Sequence, residues 1–277
     1  MAIKIITLIE NSPGEHRALK AEHGIAFLIV KDNLRILFDT GQSGAFIENA
    51  RQLRVDLTAL DYVILSHGHY DHSGGFRRLT ELTTDFELIL GEGFFDEKYG
   101  YKNNAYEYLG NNFSESFLSE QGIACRFVRQ ALTELASGVY VVTGFPRVHA
   151  DEVINPRFKV LRDGAFVPDC FTDEVLLAVD SPKGLIVLLG CSHPGLKNML
   201  DAVTGLIKRP IHAVLGGTHL VEASIHSLGI SIAYLQNSKL KVIGVSHCTG
   251  QAAMERLAGS DSRYFHNRTG SALVVAE

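Results

Sequence analysis

Short apolar runs recur along the chain at Ile3–Ile9, Ile25–Val30, Leu34–Phe38, Tyr62–Leu65, Glu87–Leu90, Val139–Thr143, Val175–Val179, Leu185–Leu189, Ala213–Leu215 and Val242–Val245. They are β-branched or aliphatic and bounded by Gly, Asp, Asn or Ser, a pattern that predicts strands. Lys31-Asp32-Asn33 and Ser181-Pro182-Lys183-Gly184 each join two such runs and predict tight hairpins. Helical spacing appears around Gly44–Leu53, Gly195–Ile207, His226–Gln236 and Gly250–Leu257. Strands therefore come first, helices alternate with later strands, and the scheme repeats. This order predicts an α/β domain with a mixed sheet-on-sheet core and helices outside, one domain in two halves.

One stretch breaks the pattern. An insertion at about 91–124 carries Phe94, Phe95, Tyr99, Tyr101, Tyr106, Tyr108, Phe113 and Phe117, interleaved with Asn103, Asn104, Asn111 and Asn112. Three readings of it stand open: a helical subcluster on the main core, a lid or wall over a pocket, or the contact of a homodimer.

Composition narrows the class. At 277 residues, 46% hydrophobic and 21% charged, the chain can bury a large core, which excludes a disordered protein. A net charge of −5 recommends no nucleic-acid partner. No apolar run is long enough for a membrane span, and the first residues lack the marks of a secretion signal. Cys125, Cys170, Cys191 and Cys248 are scattered rather than clipped in pairs. A cytoplasmic protein is the expectation.

The twelve histidines change the picture. Four predicted strands end in a small residue followed by histidine: Ser66-His67, Cys191-Ser192-His193, Thr218-His219 and Ser246-His247. Ligand chemistry in layered α/β folds gathers beyond the C-terminal ends of strands. The densest group is His67-Gly68-His69-Tyr70-Asp71-His72, between an apolar strand and Ser73-Gly74-Gly75. His67 and His69, two apart, can aim their rings the same way, and a turn through Tyr70 returns Asp71 and His72 to the same place. Neutral imidazole and carboxylate in that spacing suit Zn²⁺ or Fe²⁺.

These residues resemble the signature of the metallo-β-lactamase fold superfamily. Leu37-Phe38-Asp39-Thr40-Gly41 is similar to its first motif, in which an Asp braces the metal-binding loop. Glu22-His23-Gly24, Gly190-Cys191-Ser192-His193 and His247-Cys248-Thr249-Gly250 are similar to one branch, named for a pterin-condensing synthase of methanopterin biosynthesis. The resemblance implies a four-layer αββα sandwich of two mixed sheets and two divalent cations, zinc first, with iron or manganese as alternatives. It implies that His67, His69 and His193 hold one ion and Asp71, His72 and His247 the other. Many members place a histidine upstream of the second hairpin and a bridging Asp after it. Here Cys191 stands where that Asp would fall. Either His193 completes the first site, the favoured reading, or Cys191 supplies a thiolate and His193 stands behind it. Asp173-Glu174 is a less favoured replacement for the missing histidine.

Asp71 and His219 are the candidate catalytic residues, His219 through contact with substrate or a hydrogen bond to a ligand. His23, His149 and Arg147 are candidates for the pocket wall, and Asp39 for a brace behind the metal. Helices expected just after Gly195 and Gly250 would turn free N–H groups toward an anion, and the Tyr99–Tyr108 stretch would suit stacking on a flat ring. The expected chemistry is attack by metal-activated water on a small phosphorylated or ester substrate. A transferase releasing pyrophosphate and a non-catalytic metal-binding protein are the alternatives.

Overall fold

The computed structural model describes residues 2–276. One sheet has seven strands, in the order Ala272–Val275, Ile3–Ile9, Ala26–Lys31, Leu34–Phe38, Tyr62–Ile64, Glu87–Gly91 and Ala124–Val128. A second has six, in the order Val242–Ser246, Ile211–Gly217, Gly184–Leu189, Leu176–Ser181, Val139–Val142 and Leu132–Ala136. All ten predicted strands are present within a residue or two of their expected ends. Both hairpins form as well. Lys31 pairs with Leu34 across Asp32-Asn33, and Ser181 pairs with Gly184 across Pro182-Lys183.

Alternation along these strands divides the core into layers. Ile5, Phe27, Ile29, Ile36 and Phe38 face Val141, Leu177, Val179, Ile186 and Leu188 in one buried cluster between the sheets. The opposite face of the first sheet (Leu28, Leu37, Val63 and Leu88) packs on Phe46, Phe76, Leu79 and Leu118 of the helices Ala45–Gln52, Phe76–Thr80 and Glu115–Glu120. The outer face of the second sheet packs Val187, Val214 and Val245 on Leu196, Met199, Ile232 and Leu257 of the helices Leu196–Ile207, Ile225–Asn237 and Gln251–Ser260. Helix, sheet, sheet, helix is the αββα sandwich.

One side of each sheet is parallel out to its edge, from Leu34–Phe38 through Ala124–Val128 in one and from Gly184–Leu189 through Val242–Ser246 in the other. Parallel pairing places their C-terminal ends along one rim. The loops bearing the histidines all leave from there.

The aromatic insertion is not helical through its centre. Glu97–Lys102 and Ala105–Tyr108 form a hairpin that joins Phe158–Arg162 and Ala165–Pro168 in a third, four-stranded sheet. Asn103 and Asn104, both in the left-handed region, make its turn, which is what the Asn pair encodes. Phe94 and Phe113 instead sink into the outer core of the first sheet, with Phe95 and Phe117 against it. No described helix is long and apolar enough to cross a membrane.

Candidate active site

The rim loops converge because the residues before each histidine are small. A Cβ on Gly190 would lie 2.1 Å from Ser66 Oγ, and one on Gly217 would lie 2.5 Å from Cys248 Sγ. Only glycine lets these loops meet. The turns that follow are sharp: Asp39, Ser192, His219 and His247 all have positive φ without being glycine. Such backbone persists where surrounding contacts hold it, and it concentrates at functional sites.

His67, His69, Asp71, His72, Cys191, His193 and His247 meet in one buried cluster. His67 Nε2 is 3.1 Å from His69 Nδ1, and the rings of His67 and His69 each have their centroids 5.1 Å from that of His193. His72 Nε2 and His247 Nε2 both turn toward Asp71 Oδ2 (3.5 and 3.2 Å) and toward Cys191 Sγ (3.1 and 3.5 Å). Cys191 Sγ belongs to both groups, with donor atoms of His67 and His193 on one side and of Asp71, His72 and His247 on the other, each set within 4.8 Å. The two readings left open for the first site are thus not exclusive, since His193 and Cys191 both reach it.

Several members of the cluster are held from behind. Asp39 accepts hydrogen bonds from Ser66 N (2.6 Å) and Ser66 Oγ (2.8 Å), and its Oδ2 lies 2.7 Å from His72 Nδ1. Asn11 Oδ1 lies 2.8 Å from His247 Nδ1, and Glu10 accepts from His247 N at 2.7 Å. Glu174 accepts from Ser192 N and His193 N. Asp173 accepts from Gly68 N and from Lys98 Nζ, which also donates to Asp169. Glu174 and Asp173 are therefore braces of the ligand loops, and neither stands in for the missing histidine as a ligand.

The donors suit a metal pair. Burial holds the pKa of His67, His69 and His193 well below the ordinary imidazole value, which keeps them neutral and able to ligate. Burial works against ionised Asp71, but His72, His23 and His247 around it hold it well below the usual carboxylate range. His193 Nε2 and His69 Nε2 are buried without a hydrogen-bond partner. An unpaired buried nitrogen costs about 1–3 kcal/mol, a cost that ligation would remove. His72 and His247 have Nδ1 fixed by an oxygen and Nε2 turned inward, the arrangement that orients metal-binding imidazoles.

Beside the cluster opens a cavity of about 370 Å³, lined by Ser192, His193, Thr218, His219, Glu222 and Asn155 among others. His219 sits on it with Nε2 3.2 Å from Glu222 and Nδ1 buried without a partner. Arg157 in turn grips Glu222 (Nε to Oε1 2.7 Å). Burial alone would lower His219, but Cys248 and Glu222 beside it raise its pKa to about 10. Phe158 and Phe171 form the aromatic wall. Phe171 stacks on His193 at 3.7 Å, and Phe158 lies 4.9 Å from the same ring.

The remaining candidates fall farther out. His23, half-exposed, puts Nε2 3.2 Å from Asp71 Oδ2 at the mouth of the cluster. His149 faces Asp201 (2.7 Å) and does not line the cavity. Arg147 is spent on the carbonyls of Pro194 and Cys170, and lines a neighbouring hollow. The tyrosines of the insertion pack on Phe166, Tyr106 at 3.5 Å, so the flat wall near the metal ligands comes from Phe158 and Phe171 instead. The N-terminus of Leu196–Ile207 is not free for an anion, because Glu152 accepts from Lys197 N and Asn198 N. Asn11, Glu10, Arg157, Phe158 and Phe171 were not singled out by sequence. Only Glu10 and Asn11 carry a local signal, as polar residues just past a strand end.

Comparison with known proteins places this geometry. Residues 21–145 match the model of the metallo-β-lactamase superfamily. Over 265 residues the chain is 31% identical to 7,8-dihydropterin-6-methyl-4-(β-D-ribofuranosyl)-aminobenzene-5′-phosphate synthase of Methanocaldococcus jannaschii, covering 90% of this chain and 88% of that one. Tm1679, a metal-dependent hydrolase of the β-lactamase superfamily, superposes with a TM-score of 0.86 over 99% of this chain and 100% of that one, at 28% identity. A diphosphatase of the PhnP family shares the fold at a TM-score of 0.60 and 14% identity, over 99% of this chain and 98% of that one. The ligand spacing, the four layers and these matches agree: the chain belongs to the metallo-β-lactamase superfamily.

Proposed function

We propose that the protein is a metal-dependent hydrolase of a small phosphorylated or ester substrate. One ion would be held by His67, His69 and His193 and the other by Asp71, His72 and His247, with Cys191 between them. The observation that carries this reading is the convergence of buried imidazoles, two of them with an unpartnered Nε2, beside an open cavity. Divalent cations in such a site supply a bound water with a pKa near ~7 and polarise an acyl or phosphoryl oxygen.

The chain's own residues add orientation and a proton donor. Glu222, fixed by Arg157, holds His219 by Nε2, so Nδ1 is the atom left to hydrogen-bond an anionic or leaving-group oxygen in the cavity. Phe158 and Phe171 exclude water from the His69 and His193 side, which strengthens every electrostatic contact there. Asp39 and Asn11 fix the tautomers and directions of His72 and His247. The test is turnover of a panel of phosphate monoesters, phosphodiesters and carboxylic esters. Activity lost in His69→Ala and reduced in His219→Ala supports the proposal, and no turnover across the panel by metal-loaded protein rejects it.

A second reading is favoured by the 31% identity to the M. jannaschii synthase along 90% of the chain. In it the same residues act in a condensation that releases pyrophosphate from a pterin diphosphate. Pyrophosphate release that requires both the pterin diphosphate and an arylamine distinguishes this reaction from hydrolysis.

A further inference from the structure

Cys248 has no part in the paired site, yet it lies against it. The strands Gly184–Leu189, Ile211–Gly217 and Val242–Ser246 run side by side and parallel, so the loops beyond them set Cys191, His219 and Cys248 next to one another. Sγ of Cys191, Sγ of Cys248 and a ring nitrogen of His219 all lie within 4.8 Å of each other. Both thiols are free, and both are buried. His219 Nδ1 is buried and unpartnered. The gap between the three is kept by Gly217, whose missing Cβ would sit 2.5 Å from Cys248 Sγ and 3.2 Å from Cys191 Cα.

We propose that Cys191, Cys248 and His219 form a further cation position, selective for thiophilic divalent ions, that shares Cys191 with the paired site. Two sulfurs and one imidazole are a soft donor set, unlike the nitrogen and carboxylate donors on the other side of Cys191. Ligands of a tetrahedral ion with Zn–S near 2.3 Å stand about 3.7 Å apart. The observed ceiling of 4.8 Å therefore calls for small side-chain movement and no change of backbone. Three protein ligands leave one position open, and His219 itself also lines the neighbouring cavity. An ion here would take the His219 nitrogen and draw Cys191 away from the pair. Binding at this position does not depend on which bond the enzyme cleaves.

The experiment is cadmium-113 NMR of the full chain titrated with cadmium, because the chemical shift reports the number of sulfur ligands. Wild-type protein should show a resonance in the two-sulfur range in addition to those of the paired site. That resonance should be lost in Cys248→Ser and weakened in His219→Ala, but retained in His247→Ala, which alters only the paired site. A wild-type spectrum with no two-sulfur resonance overturns the proposal without need of any variant. Persistence of that resonance in Cys248→Ser overturns it as well.

Discussion

Asp39 ends a strand and, by sequence alone, is an ordinary turn carboxylate. Within the fold it is fully buried and takes three hydrogen bonds, from Ser66 N and Oγ and from His72 Nδ1. Hydrogen bonds to a charged group contribute about 1.5–3 kcal/mol each, so Asp39 fixes both the loop and the ring direction of His72. Asp39→Ala is expected to lower metal affinity about 10–100-fold, as removal of such a brace does. A chelator-competition titration measures this. Glu222 makes a second prediction. Burial raises its pKa, but His219 and Arg157 together outweigh that and hold it at about 2, against an ordinary 4.5. Because the folded pKa is depressed, its contribution to stability is complete above pH 4.5 and lost as the pH falls toward 2. Unfolding curves should thus show a gap between wild type and Glu222→Gln that is complete between about pH 4.5 and 6.5, closes as the pH falls toward 2, and narrows as the pH rises toward 10 and His219 loses its proton.

Among the elements, the third sheet does the least expected work. Lys98, on the strand Glu97–Lys102, is almost wholly buried with Asp169 and Asp173, and Asp173 holds Gly68 N between two ligand histidines. The aromatic insertion is thereby tied by one ammonium to the metal-binding loop. Lys98→Met would leave two carboxylates buried without their cation. Breaking such a group costs about 3–5 kcal/mol. Denaturant unfolding should show a loss of that size, whereas Lys102→Met, on the same strand but exposed, should change little. None of this was legible beforehand. Glu97–Lys102 and Ala165–Pro168 have neither clean alternation nor a continuous apolar run, and the pairing of Glu97–Lys102 with Phe158–Arg162 that joins the two hairpins spans residues far apart in sequence. The ten predicted strands were legible because they are mostly buried and so mostly apolar.

For the whole molecule, the residues of the cluster were easier to recognise than their supports. A histidine after a small residue at a strand end repeats four times, and repetition carries information that one instance lacks. Asn11 and His247 are 236 positions apart, and Arg157 and Glu222 are 65 apart. No local pattern connects either pair: packing of the first sheet on the second creates the former contact, and the third sheet lying against the second creates the latter. A further long-range contact corrects the expectation of an anion site at the start of Leu196–Ile207, where Glu152, 45 residues upstream, already occupies the amides. Cys191 shows the limit of spacing arguments most clearly. Sequence left it as an alternative to His193, while the fold sets its sulfur between both groups of nitrogens.

Elemental analysis of the purified protein, after loading with zinc and removal of excess metal, tests the central claim directly. With imidazole nitrogens on one side of Cys191 and the donors of Asp71, His72 and His247 on the other, two tightly held equivalents are expected per chain in Cys248→Ser, which lacks the further position. That count should fall to about one when His247→Ala is added and leaves the second ion only Asp71, His72 and the shared Cys191. A single equivalent in Cys248→Ser, unchanged by adding His247→Ala, would contradict it.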